Sequence, residues 1–266
     1  RRHLMTQTRM PVLFAGHGSP MSAIENNADT KSWQALGQQL PKPRAILSVS
    51  AHWYTDGSRI QTSPDPKQIY DMYGFPQELY DLKYRPAGDP ALAKQVQSLV
   101  RSPAVTADDS WGIDHGTWAV LCKIFPKADI PVVQLSVNGR LQPAQHYAVG
   151  RALSSLRSQG VLIFASGDVV HNLRRIDWDK EDGFDWADSF DTAIRDAVLK
   201  KDHEIVIHYD RLGRPADLSV PTPEHFLPLL YALGASDDSD QATVFNDHRT
   251  LGSLSMTGYL FQPAAA

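Results

Sequence analysis

Short β-branched apolar runs alternate along the chain with segments whose apolar positions recur at helical spacing, the pattern of a mostly parallel sheet covered by helices. "PVLFAG" (11–16), "AILSVSA" (45–51), "PVVQLSV" (131–137) and "VLIFASG" (161–167) read as strands, with weaker strand signals at "ATVF" (242–245) and "SLSMTGYLF" (253–261). Helical spacing predicts helices over 30–40, 89–101, 117–125, 143–159, 185–200 and 225–233, and Asp89 before Pro90 fits an N-cap followed by a first-turn proline. The stretch 55–89 has no clear period and is rich in Pro, Tyr and Gly; a loop of that length in a compact domain usually forms a wall or lid over a site. A composition break at 201–224 is followed by only about 40 residues, too few for a second core. The fold expected is therefore α/β, a single domain over 5–262 with a mostly parallel mixed sheet flanked by helices.

The chain's 266 residues suit one such domain. Its formal net charge is −4 and its 26 basic residues form no block, which argues against nucleic acid as a partner. No apolar run approaches the roughly 20 residues that span a bilayer, and the start of the chain has no signal-peptide pattern, so no membrane association and a cytoplasmic location are expected. The leading "RRHL" (1–4) before Met5 reads as a cloning remnant, and His3 with it. Cys122, the sole cysteine, lies in the apolar helical pattern "WAVLCKIF", where packing is its expected role.

Candidate chemistry comes from the placement of the 10 histidines. His17 follows the first predicted strand, His52 the second and, after a few residues, His171 the strand at 161–167, so three strands deliver imidazoles at their carboxyl ends. In open α/β sheets that edge forms the ligand crevice. His115 in "GIDHGTW" and His225 in "TPEHFLP" sit in short polar contexts, the latter expected in the first turn of a helix started by Thr222 and Pro223. His146, His203, His208 and His248 read as ordinary surface or packed residues. The spacing matches neither a zinc finger nor an HExxH helix, so any ligands converge from distant parts of the chain. Several imidazoles with almost no thiolate suit zinc or non-haem iron better than calcium or magnesium. Gly16 and Gly18 would let the backbone turn sharply around His17, whereas a phosphate loop would want a lysine that "GHGSPMSAIE" lacks.

Taken together, "GHGSPM", "SAHW", "WGIDHGTW", "SGDVVHNL", "TPEHFLPLLY" and "GSLSM" resemble the 4,5-DOPA extradiol dioxygenase subgroup of the class III, LigB-type ring-cleavage dioxygenases, over nearly the whole chain from Met10 to Met256. The resemblance implies one metal per chain, Fe(II) for activity with Zn(II) in purified or crystallised protein, binding a catechol through both hydroxyls beside dioxygen. It matches His17 and His52 to two family ligands. In many class III enzymes the third ligand is a glutamate; here the motif offers Glu224 and His225, which point about 100° apart if they begin a helix, and the subgroup favours His225. His171 matches the acid/base histidine and is also a ligand candidate when no substrate is bound. His115 matches a histidine that hydrogen-bonds substrate or oxygen. Trp53, Tyr54 and Asn172, next to these residues in sequence, are substrate-binding candidates. The acidic "DWDKEDGFDW" (177–186) reads as a solvated loop.

The reading that follows is a metal-dependent oxidoreductase that inserts both atoms of dioxygen into a catechol, L-DOPA being the substrate implied. Its partners are that small molecule and O2, with the oligomeric state open. A zinc-dependent hydrolase, in which three histidines hold a water-activating ion, and a non-catalytic Memo-type metal-binding protein are the alternatives.

Overall fold

A computed structural model describes residues 9–264; the expected cloning remnant, with His3, lies outside them. In chain order the elements are β1 (Val12–Gly16), α1 (Ala28–Gln39), β2 (Ala45–Thr55), β3 (Ser58–Ile60), α2 (Gln77–Asp81), α3 (Pro90–Leu99), β4 (Val105–Ala107), α4 (His115–Ile124), β5 (Val132–Asn138) and α5 (Pro143–Leu153). The second half supplies β6 (Val161–Gly167), α6 (Asp185–Leu199), α7 (His203–Ile207), α8 (Arg214–Ser219), α9 (Leu227–Ala235), β7 (Gln241–Phe245), β8 (Arg249–Thr250), β9 (Leu254–Ser255) and β10 (Gly258–Gln262).

One sheet runs β4-β3-β5-β2-β6-β1-β10-β7. Its middle, β5-β2-β6-β1, is parallel throughout, and antiparallel pairings flank it on both sides. Strands buried on both faces favour apolar side chains throughout, which is why β1 and β6 read as nearly unbroken apolar runs, whereas β5 interleaves its apolar residues with buried Gln134, Ser136 and Asn138. Period-two alternation then divides them between two cores. Val12, Phe14, Leu47 and Val49 face a layer formed by α3, α5, α6 and α9, while Leu13, Ala15 and Ile46 face α1 and α4. The helices start where local chemistry predicts: Asp89 Oδ1 accepts from the Leu92 N–H at the head of α3, and Asn27 and Thr30 cap α1 reciprocally.

Several boundaries differ from the sequence expectation. β2 continues beyond 51 to Thr55, because after an irregularity beyond Val49 its pairing with β5 resumes at Tyr54 opposite Val137. His52 therefore sits inside a strand rather than after one. The helix expected over 143–159 tightens into a 3-10 turn at Ser154–Gln159 before Gly160 ends it in a left-handed conformation. The run 253–261 splits into β9 and β10, with Ser255 Oγ accepting from the Thr257 N–H at the break. Within 55–89 lie β3 and α2, and within 201–224 lie α7 and α8, both packed on α6, so neither stretch is a bare loop or a linker. No helix among the described residues is long and apolar enough to cross a membrane. Cys122 is half-buried against the α1/α4 core, and burial pushes its thiol up to about 11, as a packing residue requires.

Candidate metal centre and active site

β2, β6 and β1 are adjacent and parallel, so their carboxyl ends open on one crevice. His17 enters it directly from β1. The flanking glycines let the backbone pass close to Met256: Gly18 takes φ +60°, and a Cβ on Gly16 would lie 2.8 Å from the Met256 carbonyl carbon. His17 Nδ1 lies 2.8 Å from Ser166 Oγ, which leaves Nε2 to face the crevice.

His52 Nε2 stands 3.2 Å from His17 Nε2. Two imidazoles bound about 2.1 Å from a shared tetrahedral ion would place their nitrogens about 3.4 Å apart, so this spacing fits a common cation. The ring centroid of His225 lies 5.3 Å from that of His17 and 5.0 Å from that of His52. His225 occupies a turn ahead of α9 rather than the expected first helical turn; Pro223 O accepts from the Phe226 N–H there. A hydrogen bond of 2.8 Å from the Asp168 N–H to the His225 carbonyl ties this turn to the end of β6. Glu224, beside it, accepts from Thr222 Oγ1 and lies 3.3 Å from His225 Nδ1 through the same oxygen, so it orients the imidazole from the side away from Nε2.

His171 stacks flat on His225 with centroids 3.5 Å apart and planes 5° apart, and its N–H donates to Ser219 O. His115, the first residue of α4, lies against His52 with centroids 3.9 Å apart, and its N–H donates to Asp71 Oδ1. Donor atoms fall within 4.8 Å of one another in the groups His17–His52–His115, His17–Asp168–His225 and His171–Glu224–His225. The five histidines singled out from the sequence thus share one centre, linked through His17 and His225. The four read as ordinary each have a structural partner: His146 with Tyr231, His203 with Tyr147, His208 with Glu204 and His248 with Asp29.

Burial favours the neutral form of four of these imidazoles, those of His17, His52, His171 and His225. It drives His17 and His225 well below the ordinary histidine range and His52 down to about 3, with neighbouring imidazoles adding to the effect. His171 is lowered to about 4, again chiefly by burial. Neutral rings are the form that binds a metal or accepts a proton. His225 Nε2 and Asp168 Oδ2 are buried with no hydrogen-bond partner, a rare condition that a cation in the crevice would relieve. The donor set therefore fits a transition-metal ion.

The remaining candidates differ in placement. Tyr54 is exposed at the rim, and its hydroxyl is pushed up by desolvation and by the charge of Glu224. Trp53 is buried within β2. Asn172 is buried with Nδ2 donating to Leu218 O, which braces the turn beneath His171. Most of the acidic stretch 177–186 is exposed, with Lys180 paired to Asp182.

Three carboxylates escaped the sequence reading. Asp71 comes from the 55–89 stretch, which does form a wall here. Asp114 caps nothing with its side chain; it accepts from Ser50 Oγ, Trp111 Nε1 and Gln134 Nε2, bracing the strand that carries His52 against α4. Asp168 follows β6 directly. The signal available for the last two was an acid inside a histidine motif, "GIDHG" and "SGDVVH".

A parallel-sheet crevice with converging imidazoles and a buried carboxylate is the arrangement of a candidate metal site in an α/β enzyme. The chain belongs to the family described as the catalytic LigB subunit of aromatic ring-opening dioxygenase, which matches residues 11–262. It is 46% identical over 259 residues to 4,5-DOPA dioxygenase extradiol of Escherichia coli (strain K12), covering 95% of each chain. It is 36% identical over 254 residues to the protein of the same name from Beta vulgaris, covering 93% of this chain and 95% of that one. A crystal structure of an uncharacterized protein, JW3007 from Escherichia coli K12, superimposes with a TM-score of 0.83 at 41% identity, covering 95% of this chain and 99% of the other. The chain is thus a dioxygenase of the LigB type, with the single-domain α/β fold expected from its sequence.

Proposed function

We propose that this dioxygenase cleaves a catechol in the extradiol manner, with Fe(II) as its metal and L-DOPA as its substrate, giving 4,5-seco-DOPA, which cyclises to betalamic acid. The observation that carries the reading is the meeting of His17, His52, His225 and His171 at one sheet edge. The names of the bacterial and plant relatives favour L-DOPA among catechols.

His17, His52 and His225 would hold the ion, whose contribution is to bring catechol and dioxygen together and to spread charge between them. Each ligand is set by a partner on its far side: Ser166 for His17, Glu224 for His225, and the wall around Asp71, whose Oδ2 is 3.8 Å from His52 Nδ1. His171 groups with Glu224 and His225 but not with His17, which favours acid/base work over ligation. Neutral at pH 7 because burial holds it at about 4, it can accept a hydroxyl proton from the catechol and return it later in the reaction. Stacking on His225 fixes its ring, so the proton passes at a defined place. His115, whose backbone N–H donates to Asp71 Oδ1, would hydrogen-bond the bound substrate through its ring. Tyr54 lines the rim, while Trp53 and Asn172 support the walls. The overall reaction balances with one catechol and one dioxygen, and both oxygen atoms stay in the ring-opened product.

Anaerobic reconstitution with Fe(II), followed by oxygen-electrode and visible-absorbance traces after adding L-DOPA, tests the reading. It predicts a yellow product and about one oxygen consumed per catechol, with neither in a zinc-loaded sample. Ester hydrolysis by zinc-loaded protein without oxygen, and no uptake with iron, would replace the dioxygenase by a hydrolase.

A further inference from the structure

The proposed reaction leaves one buried group at the crevice without a task. Asp168 follows β6, and its side chain is fully buried. Its N–H is bonded to the His225 carbonyl and its Oδ1 accepts from the Gly18 N–H at 2.9 Å, so it is clamped between the turns that present His225 and His17. Among the described residues no lysine or arginine pairs with it. A carboxylate left so deep without a counter-charge destabilises the fold unless something else supplies one.

The orientation of Oδ2 indicates what that is. It lies 3.1 Å from His17 Nε2, yet the contact is too bent to be a hydrogen bond, and Oδ2 has no other partner. An aspartate that merely orients a ligating histidine bonds head-on to the nitrogen facing away from the metal. Here that nitrogen, Nδ1, is already engaged by Ser166, and Asp168 stands instead beside Nε2, the crevice-facing one. Two donors lying side by side at this distance are spaced as neighbouring ligands of one ion. Asp168, His17 and His225 each place a donor within 4.8 Å of the others.

We propose that Asp168 Oδ2 is an anionic ligand of the metal, beside His17, His52 and His225. This rests on the reading that the crevice holds a metal and adds to it the source of the carboxylate. A hard, charged donor also shifts the set from one suited to zinc toward the histidine–carboxylate chemistry of Fe(II) sites.

The test compares metal-stripped wild-type protein with Asp168→Asn, which keeps the shape and the acceptor for Gly18. Zn(II) and Co(II) affinity is measured by chelator competition, the Co(II) visible spectrum is recorded, and metal-free melting is followed for both. The expected result is one metal per chain in wild type and an affinity lowered on the order of 100-fold or more in the variant, with an altered Co(II) spectrum. Metal-free melting should be unchanged or higher, because an uncompensated buried charge has gone. Equal affinity and an unchanged spectrum would overturn the assignment while leaving the metal centre in place. A wild-type protein that binds neither ion would overturn both. Tight Asp168-dependent binding of these ions, with no oxygen uptake from catechol by the Fe(II)-loaded wild type, would sink the dioxygenase reading alone. Should Asp168→Asn fail to fold, a crystal structure of the zinc-loaded wild type decides the matter. An Oδ2–zinc distance of about 2.0–2.2 Å supports ligation, and one beyond about 3 Å overturns it.

Discussion

Replacing His171 by alanine is expected to lower L-DOPA turnover by about a hundred- to ten-thousand-fold, the range spanned by loss of a positioned general acid–base group. The substitution removes a ring stacked on His225 and leaves the His17–His52 pair, 3.2 Å apart, untouched. Metal content should therefore stay near one per chain while kcat collapses and KM changes little. Elemental analysis beside steady-state oxygen uptake checks both halves. Turnover within a few-fold of wild type would remove His171 from the proton path; loss of the metal along with turnover would make it a ligand.

The second large effect is on stability. Metal-stripped protein should unfold progressively more easily as the pH falls from about 6.5 toward 4. Burial holds His52 at about 3 and His171 and His146 at about 4, and it lowers His17 and His225 as well. Once unfolded, these imidazoles take up protons near pH 6.5, so in this window the unfolded state binds more protons than the folded state. Stability that is complete above pH 6.5 is then lost by about 1.4 kcal/mol per pH unit for each imidazole that remains neutral. Asp114, Asp168 and Asp191 act in the opposite sense: burial raises them, so the folded state gains protons there as the pH falls. Five imidazoles against three carboxylates leave a net loss, large beside the roughly 5–15 kcal/mol that holds a typical domain together. Urea unfolding midpoints from pH 7.5 to 5 read this directly, and a flat profile would contradict the burial of the histidines as neutral rings.

Much of this was legible in the residues. Unbroken apolar runs such as "VLIFASG" could only be strands covered on both faces, and histidines at the ends of such runs in a parallel sheet must share an edge. His17 and His171 follow that logic without any structure. His52 follows it too, and only the boundary differs: the strand expected to end at 51 continues to Thr55, because pairing with β5 resumes at Tyr54. His225 was placed a turn too far along: "TPEH" has the letters of a helix start, but the chain uses Thr222 to bond Glu224 and begins α9 only at Leu227. The carboxylates were the hardest to see. Asp71 meets His115 across 44 positions of sequence, and Asp168 meets His17 across 151, separations that no periodicity encodes.

The central claim is that the histidine crevice puts both atoms of one dioxygen into a catechol ring. Mass spectrometry of the product formed from L-DOPA and isotopically labelled dioxygen by the Fe(II)-loaded protein tests it most directly. The account predicts a ring-opened product carrying two labelled oxygens, provided it is trapped before its aldehyde exchanges with water. An intact ring, as in a quinone formed with no label incorporated, would contradict it.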